Sequence, residues 1–122
     1  MTAFHDPDAA IARIQRDIEL AAERAERAQQ VKAEIDAVRG RGRSPRGEVV
    51  VEVDASGMLR DVVLADGAMA LRADELAGFI VDTARAAQRD AGAKAVAIAA
   101  DSFGEDSPMT AHLRDEVEQR YV

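Results

Sequence analysis

Residues 47–67, GEVVVEVDASGMLRDVVLADG, decide how this chain is read. Val49, Val51 and Val53 alternate with Glu48, Val50 and Glu52, the two-residue period of a β-strand with one buried face. Asp54–Gly57 is a turn, because Asp and Ser bond their own backbone and Gly accepts positive φ. Residues 58–64, MLRDVVL, return as a second strand, so the pair is a hairpin. Asp66-Gly67 signals another turn, and AMAL at 68–71 then reads as a short third strand.

Upstream of the hairpin the period changes from two to between three and four. Ile11, Ile14, Ile18, Ala21, Ala25 and Ala28 form one stripe, which resumes at Val31, Ile35 and Val38. This predicts a helix over 7–38, close to a coiled-coil seam, with Asp6 as its cap and Pro7 in the first turn. Some 30 residues of helix span about 45 Å, more than a domain this small can cover. Part of the stripe should therefore meet another chain. Gly40 ends the helix, and Arg39 lies beside its negative end. Residues 39–47 then read as a flexible Arg/Gly hinge.

Downstream, Leu76, Phe79, Ile80, Thr83, Ala84, Ala87, Ala91 and Ala95 share one face of a second helix, from about Asp74 to Ala100. Gly92 weakens it by up to about 1 kcal/mol relative to alanine. The end, 101–122, carries six acids against Arg114 and Arg120, and Ser107-Pro108 caps a short helix to Gln119. The expected organisation is an α+β domain over 1–103 with an acidic tail or short helix over 104–122. There is no internal repeat.

Composition narrows the function. The chain has 122 residues, net charge −7 and no cysteine, which excludes disulfides and thiolate chemistry. Only Phe4, Phe79, Phe103 and Tyr121 are aromatic, so small aliphatic residues must fill the core and oligomerisation is favoured. The N-terminal stretch lacks the basic-then-apolar layout of a signal peptide, and no apolar run approaches the roughly 18 residues of a membrane span. Cytoplasm is the expected location. His5 and His112 lie near opposite ends and read as surface residues rather than metal ligands. Glu48, Glu52 and Asp54 lie on the polar face of a strand, and Met58 and Met69 read as core filler. GRGRSPRG follows a helix and leads into a strand, the reverse of a phosphate loop. No catalytic constellation assembles, and no cofactor is expected.

The concentrated charge is Arg39, Arg41, Arg43 and Arg46, four arginines in eight positions of an acidic chain. Alternating Arg and Gly suits a narrow minor groove, or a grip on phosphates without sequence readout. The bland alternative is a solvated connector held open by like charges, loosely paired with the acidic tail. An acidic protein partner is a third reading.

The stretch GEVVVEVDASGMLRDVVLADGAMALRADELAGFIVDTARAAQRDAGAKAV, with the long helix before it, resembles the YbaB/EbfC family of bacterial nucleoid-associated proteins. The matching pieces are Gly47 with Val49–Val53, Asp54–Gly57, Leu59–Leu64 and Leu76–Ala95, and the likeness covers roughly 7–100. It implies an α-β-β-β-α protomer that dimerises through its sheet with projecting, tweezers-like helices. The implied activity is non-enzymatic binding of double-stranded DNA with little sequence preference, in the nucleoid. Arg39, Arg41, Arg43 and Arg46 are then the candidate DNA contacts. Ile11, Ile14, Ile18, Val31, Ile35, Val49, Val51 and Val53 are the candidate dimer or partner contacts. Glu48 and Glu52 stand where family members commonly carry a basic residue, and the acidic tail has no clear counterpart. The alternative is a protein-interaction adaptor or chaperone of the same fold, for example one linked to a specialised secretion system.

Overall fold

The computed structural model describes residues 6–121. Helix α1 runs Pro7–Asp36. Asp6 caps it, its Oδ1 accepting from the N–H groups of Asp8 at 3.1 Å and Ala9 at 3.2 Å. Every residue from Pro7 to Arg27 is exposed, and packing begins only at Ala28. The helix therefore projects beyond the rest of the chain for about two-thirds of its length. It stops two residues short of the expected Val38 because Val38 is drawn into the core, 7% exposed.

Residues 39–43, expected as part of a flexible hinge, instead form strand β1 (Arg39–Arg43). It pairs antiparallel with β2 (Val49–Asp54), placing Arg39 opposite Asp54, Arg41 opposite Glu52 and Arg43 opposite Val50. The connection Ser44-Pro45-Arg46-Gly47 is a tight turn: the Gly47 N–H donates to Ser44 O at 2.9 Å, and Gly47 has φ 76°. Ser44 is buried, and its Oγ accepts from the Val49 N–H at 3.0 Å.

The second hairpin is as the sequence indicates. Asp54 Oδ1 accepts from the N–H groups of Ser56 and Met58, and Gly57 adopts φ 83°. Strand β3 (Leu59–Leu64) completes a sheet of order β1-β2-β3, with an irregularity between Glu52 and Val53. The AMAL stretch is not a strand. Asp66–Ala70 forms a 3-10 helix that turns the chain toward α2 (Ala73–Phe103), burying Ala68. The third strand is the arginine segment instead. Gly104, at φ 94°, ends α2, and Ser107 caps α3 (Pro108–Arg120).

Helix α2 lies across one face of the sheet. Val49, Val51 and Val53 are 0%, 0% and 1% exposed, packed with Val38, Ala87 and Ala91. Each such burial contributes about 1.5–3 kcal/mol. Thr83, Ala87, Ala91, Ala95 and Ala99 form the buried row of α2, and small side chains at this spacing let its backbone approach β1 closely. Helix α3 packs on α2, with Val117 against Gly92 and the Thr110 hydroxyl donating to Gly104 O at 2.8 Å.

Candidate nucleic-acid interface

The alternation Arg-Gly-Arg-Gly-Arg has a packing cause. A Cβ at Gly40 would meet the Ala87 carbonyl oxygen and lie 2.6 Å from Ala91 Cβ and 2.7 Å from Ala91 N. One at Gly42 would meet the Thr83 carbonyl oxygen and lie 2.9 Å from Ala87 N. Two glycines thus let helix and strand backbones touch. Because side chains alternate across a strand, Arg39, Arg41 and Arg43 must project from the opposite face. Three cations in a row are the counterpart of a thin core.

The four arginines do not behave alike. Arg39 is half-buried, and its Nη1 donates to Val38 O at 2.9 Å and to Asp36 O at 3.5 Å, closing the end of α1. Arg41 pairs with Glu52, with Nε and Nη2 each 3.2 Å from Oε1. Arg43 is exposed and lies over the last turn residue: a Cβ at Gly47 would be 2.5 Å from its Nη2. Arg46 is exposed on the turn itself, beside a shallow pocket shared with Glu48, Leu71, Glu75 and Phe79. Among the described residues neither Arg43 nor Arg46 is in an ion pair. Of the four arginines, these two, at one end of the sheet, are the exposed ones outside an ion pair among the described residues.

The open sheet face is close to electroneutral. Cross-strand register sets Arg39 against Asp54 and Arg41 against Glu52, with Asp61 of β3 next to Glu52. Val50 and Val63 extend the row that Arg43 begins. The carboxylates that answer the arginines therefore come from the sheet and not from the acidic tail. The tail is held elsewhere: α3 packs on α2, Glu105 Oε2 accepts from Arg114 Nη2 at 2.8 Å, and Glu116 pairs with His112.

The outer edge of β1 is occupied. The Arg41 N–H donates to Asp90 Oδ2 at 2.9 Å, and Lys94 Nζ donates to Arg39 O at 2.9 Å. Asp90 and Lys94 also pair with each other at 2.9 Å. The Lys94 hydrogen bond, followed by the Arg41 N–H, holds the Asp90 carboxyl below the usual aspartate range. By contrast, β3 carries Leu59, Val63 and Leu64 exposed, with Met58 beside them. The i,i+4 spacing of Asp90 and Lys94 is visible in the sequence. Their role at the strand edge is not, because the strand itself is unmarked by apolar residues.

The candidate contact residues separate into three groups. Val49, Val51 and Val53 are buried in the protomer's own core, while Val31, 5% exposed, lies at the floor of a groove between α1 and the α2–α3 end. Ile35 is half-buried, lining a groove with Phe103, Met109 and Leu113. Ile11, Ile14 and Ile18 remain, at 52%, 57% and 62% exposed. Met58, in the β2–β3 turn, and Met69, in the 3-10 helix, are exposed rather than core filler. His5 lies outside the described residues. Among those described, no three His, Cys, Asp or Glu side chains gather as metal ligands. No described helix is long and apolar enough to cross a membrane.

A family model matches residues 11–105, a span that runs from within the exposed helix through the three strands to just past the end of α2. The chain belongs to the YbaB/EbfC DNA-binding family. None of the curated proteins matches it. The YbaB/EbfC match ends two residues after α2, so α3 lies beyond it. Membership of a DNA-binding, nucleoid-associated family makes the exposed cations the place to look for DNA contacts.

Proposed function

We propose that this chain is a homodimeric, non-enzymatic DNA-binding protein of the nucleoid that contacts phosphates without reading base sequence. Family membership carries this reading. It is supported by Arg43 and Arg46, unpaired cations at the β1–β2 turn, with Arg41 exposed beside them. Arg39 is a lesser contact, because it already serves the end of α1. Two copies double the net charge of −7, so attraction must be local and short-ranged, within a Debye length of about 10 Å at 0.1 M salt. A random duplex titrated across a salt series tests this. Replacing Arg43 and Arg46 by Ala should flatten the slope of log K against log salt by about 0.9 for each phosphate that the protein no longer neutralises. An unchanged slope removes these residues from the interface.

A second reading, a protein-interaction adaptor, draws on α1. Its exposed Ile11, Ile14 and Ile18 lie on a helix with seven acids against five basic residues, a surface suited to another helix and poorly suited to a polyanion. Recovery of one protein partner after nuclease treatment, lost on Ile14→Glu, supports that reading; recovery that survives the substitution counts against it.

A further inference from the structure

Outside the sheet, one concavity is lined by arginines and, among the described residues, by no carboxylate; Arg89 also borders the adjoining groove that holds Glu105 and Glu118. The concavity lies where the end of α3 meets α2, has a volume of about 370 Å³, and is lined by Arg85, Gln88, Arg89, Arg120 and Tyr121. Among the described residues none of these three arginines is in an ion pair. Arg85 and Arg89 are four apart on α2, a spacing at which like charges face each other and oppose the helix. Arg120 comes from the last turn of α3, adding a third positive charge. In a chain of net −7, three guanidinium groups turned to one basin form a concentrated positive site.

The walls of the basin are held. The Tyr121 hydroxyl donates to Ser56 O at 3.1 Å, tying the chain beyond α3 to the β2–β3 turn across 65 residues of sequence. Gly57, next in that turn, leaves no room for a side chain beneath the phenol ring. Gln88 Nε2 donates to Gly57 O at 3.2 Å from the α2 side. The Arg120 guanidinium stands 5.9 Å from the centre of the Tyr121 ring, within cation–π range. A positioned arginine loses less freedom on binding than a loose one, and planar guanidinium groups match phosphate oxygens two at a time.

We propose that Arg85, Arg89 and Arg120, gathered around Tyr121, form a site for phosphate groups distinct from the arginines of β1. The ligand is a phosphate-bearing molecule, either a free di- or triphosphate or the backbone of a nucleic acid. Arg120 and Tyr121 lie beyond the family match, so α3 completes a site that residues 11–105 alone lack.

Isothermal titration with inorganic pyrophosphate at low ionic strength tests the free-ligand arm, and a duplex salt series tests the backbone arm. All three arginines are exposed, so Arg89→Gln and Arg120→Gln should keep the circular dichroism and melting temperature of the parent. Arg114→Gln, in the neighbouring α2–α3 groove, is the control. Pyrophosphate binding that weakens about tenfold or more in Arg89→Gln and Arg120→Gln, with Arg114→Gln unchanged, supports a free phosphate ligand. A salt slope on duplex that falls in the same variants supports the backbone. Pyrophosphate binding and duplex salt slope that are both indifferent to Arg89→Gln and Arg120→Gln overturn the site. Should duplex binding be absent altogether, the DNA function proposed above fails while the pyrophosphate arm still decides this inference.

Discussion

Replacing Gly40 by Ala probes the feature on which the sheet depends. The added Cβ would sit 2.6 Å from Ala91 Cβ and 2.7 Å from Ala91 N, with the Ala87 carbonyl closer still. Ordinary contact needs roughly another ångström. Two of the three obstacles are backbone, so no side chain can rotate aside and α2 must lift from β1. Overpacking of this kind costs about 1–3 kcal/mol, and a backbone obstacle places it at the upper end. Restricting the unfolded chain returns about 0.4–1 kcal/mol, leaving a net loss near 2 kcal/mol. For a chain of this length that is a fall in melting temperature of roughly 6–12 °C. Arg41→Ala, one residue along on the opposite face, should lose no more than about 1 kcal/mol, because the Arg41 side chain is 71% exposed and solvent screens its pair with Glu52. Thermal and urea unfolding of the two variants make the comparison. A Gly40→Ala protein within about 0.5 kcal/mol of the parent would refute the packing account of the Arg-Gly alternation.

Other sites give independent tests. Ser44→Ala leaves the buried Val49 N–H without its Oγ partner and should cost about 1–3 kcal/mol in urea unfolding. The Asp90 carboxyl is held below its ordinary pKa of about 3.9, so its contribution is present above that pH and fades as pH falls through the depressed value. Parent and Asp90→Asn should therefore differ in stability at neutral pH and converge in acid below about pH 4; a constant gap would mean the charge is irrelevant. Ile14→Glu with Ile18→Glu alters only exposed positions of the protomer, so helicity should survive while sedimentation shows a smaller assembly. An unchanged mass would place self-association elsewhere than α1.

The elements with apolar periodicity were legible. The α1 stripe, the Val49–Val53 alternation, the Asp54–Gly57 turn and the apolar face of α2 each put side chains where burial rewards them. Strand β1 was not, for a physical reason. A strand normally shows itself through branched apolar residues on its buried side, whereas here that side is empty because α2 fills the space with its own backbone. What marks β1 is a two-residue glycine period matched to a helical row of small side chains far later in the chain. No local window contains both. The same blindness affected the site: Arg39, Arg41, Arg43 and Arg46 read as one cluster, while the fold assigns them a helix end, an ion pair, a turn flank and a turn tip. Val49, Val51 and Val53 read as contact residues because a strand's apolar face looks alike whether it meets its own chain or another.

The unequal edges of the sheet set a limit on assembly. Asp90 and Lys94 occupy outward-facing backbone groups of β1, so another strand would have to displace a charged pair to add there. Among the described residues no charged pair bonds to the β3 edge as Asp90 and Lys94 do to β1. A protomer with one usable edge can join one neighbour along the sheet, and two such protomers satisfy each other by a twofold axis. Sheet extension then stops at a pair, so a protein rich in exposed valine and leucine on β3 has a built-in barrier to growing into fibres.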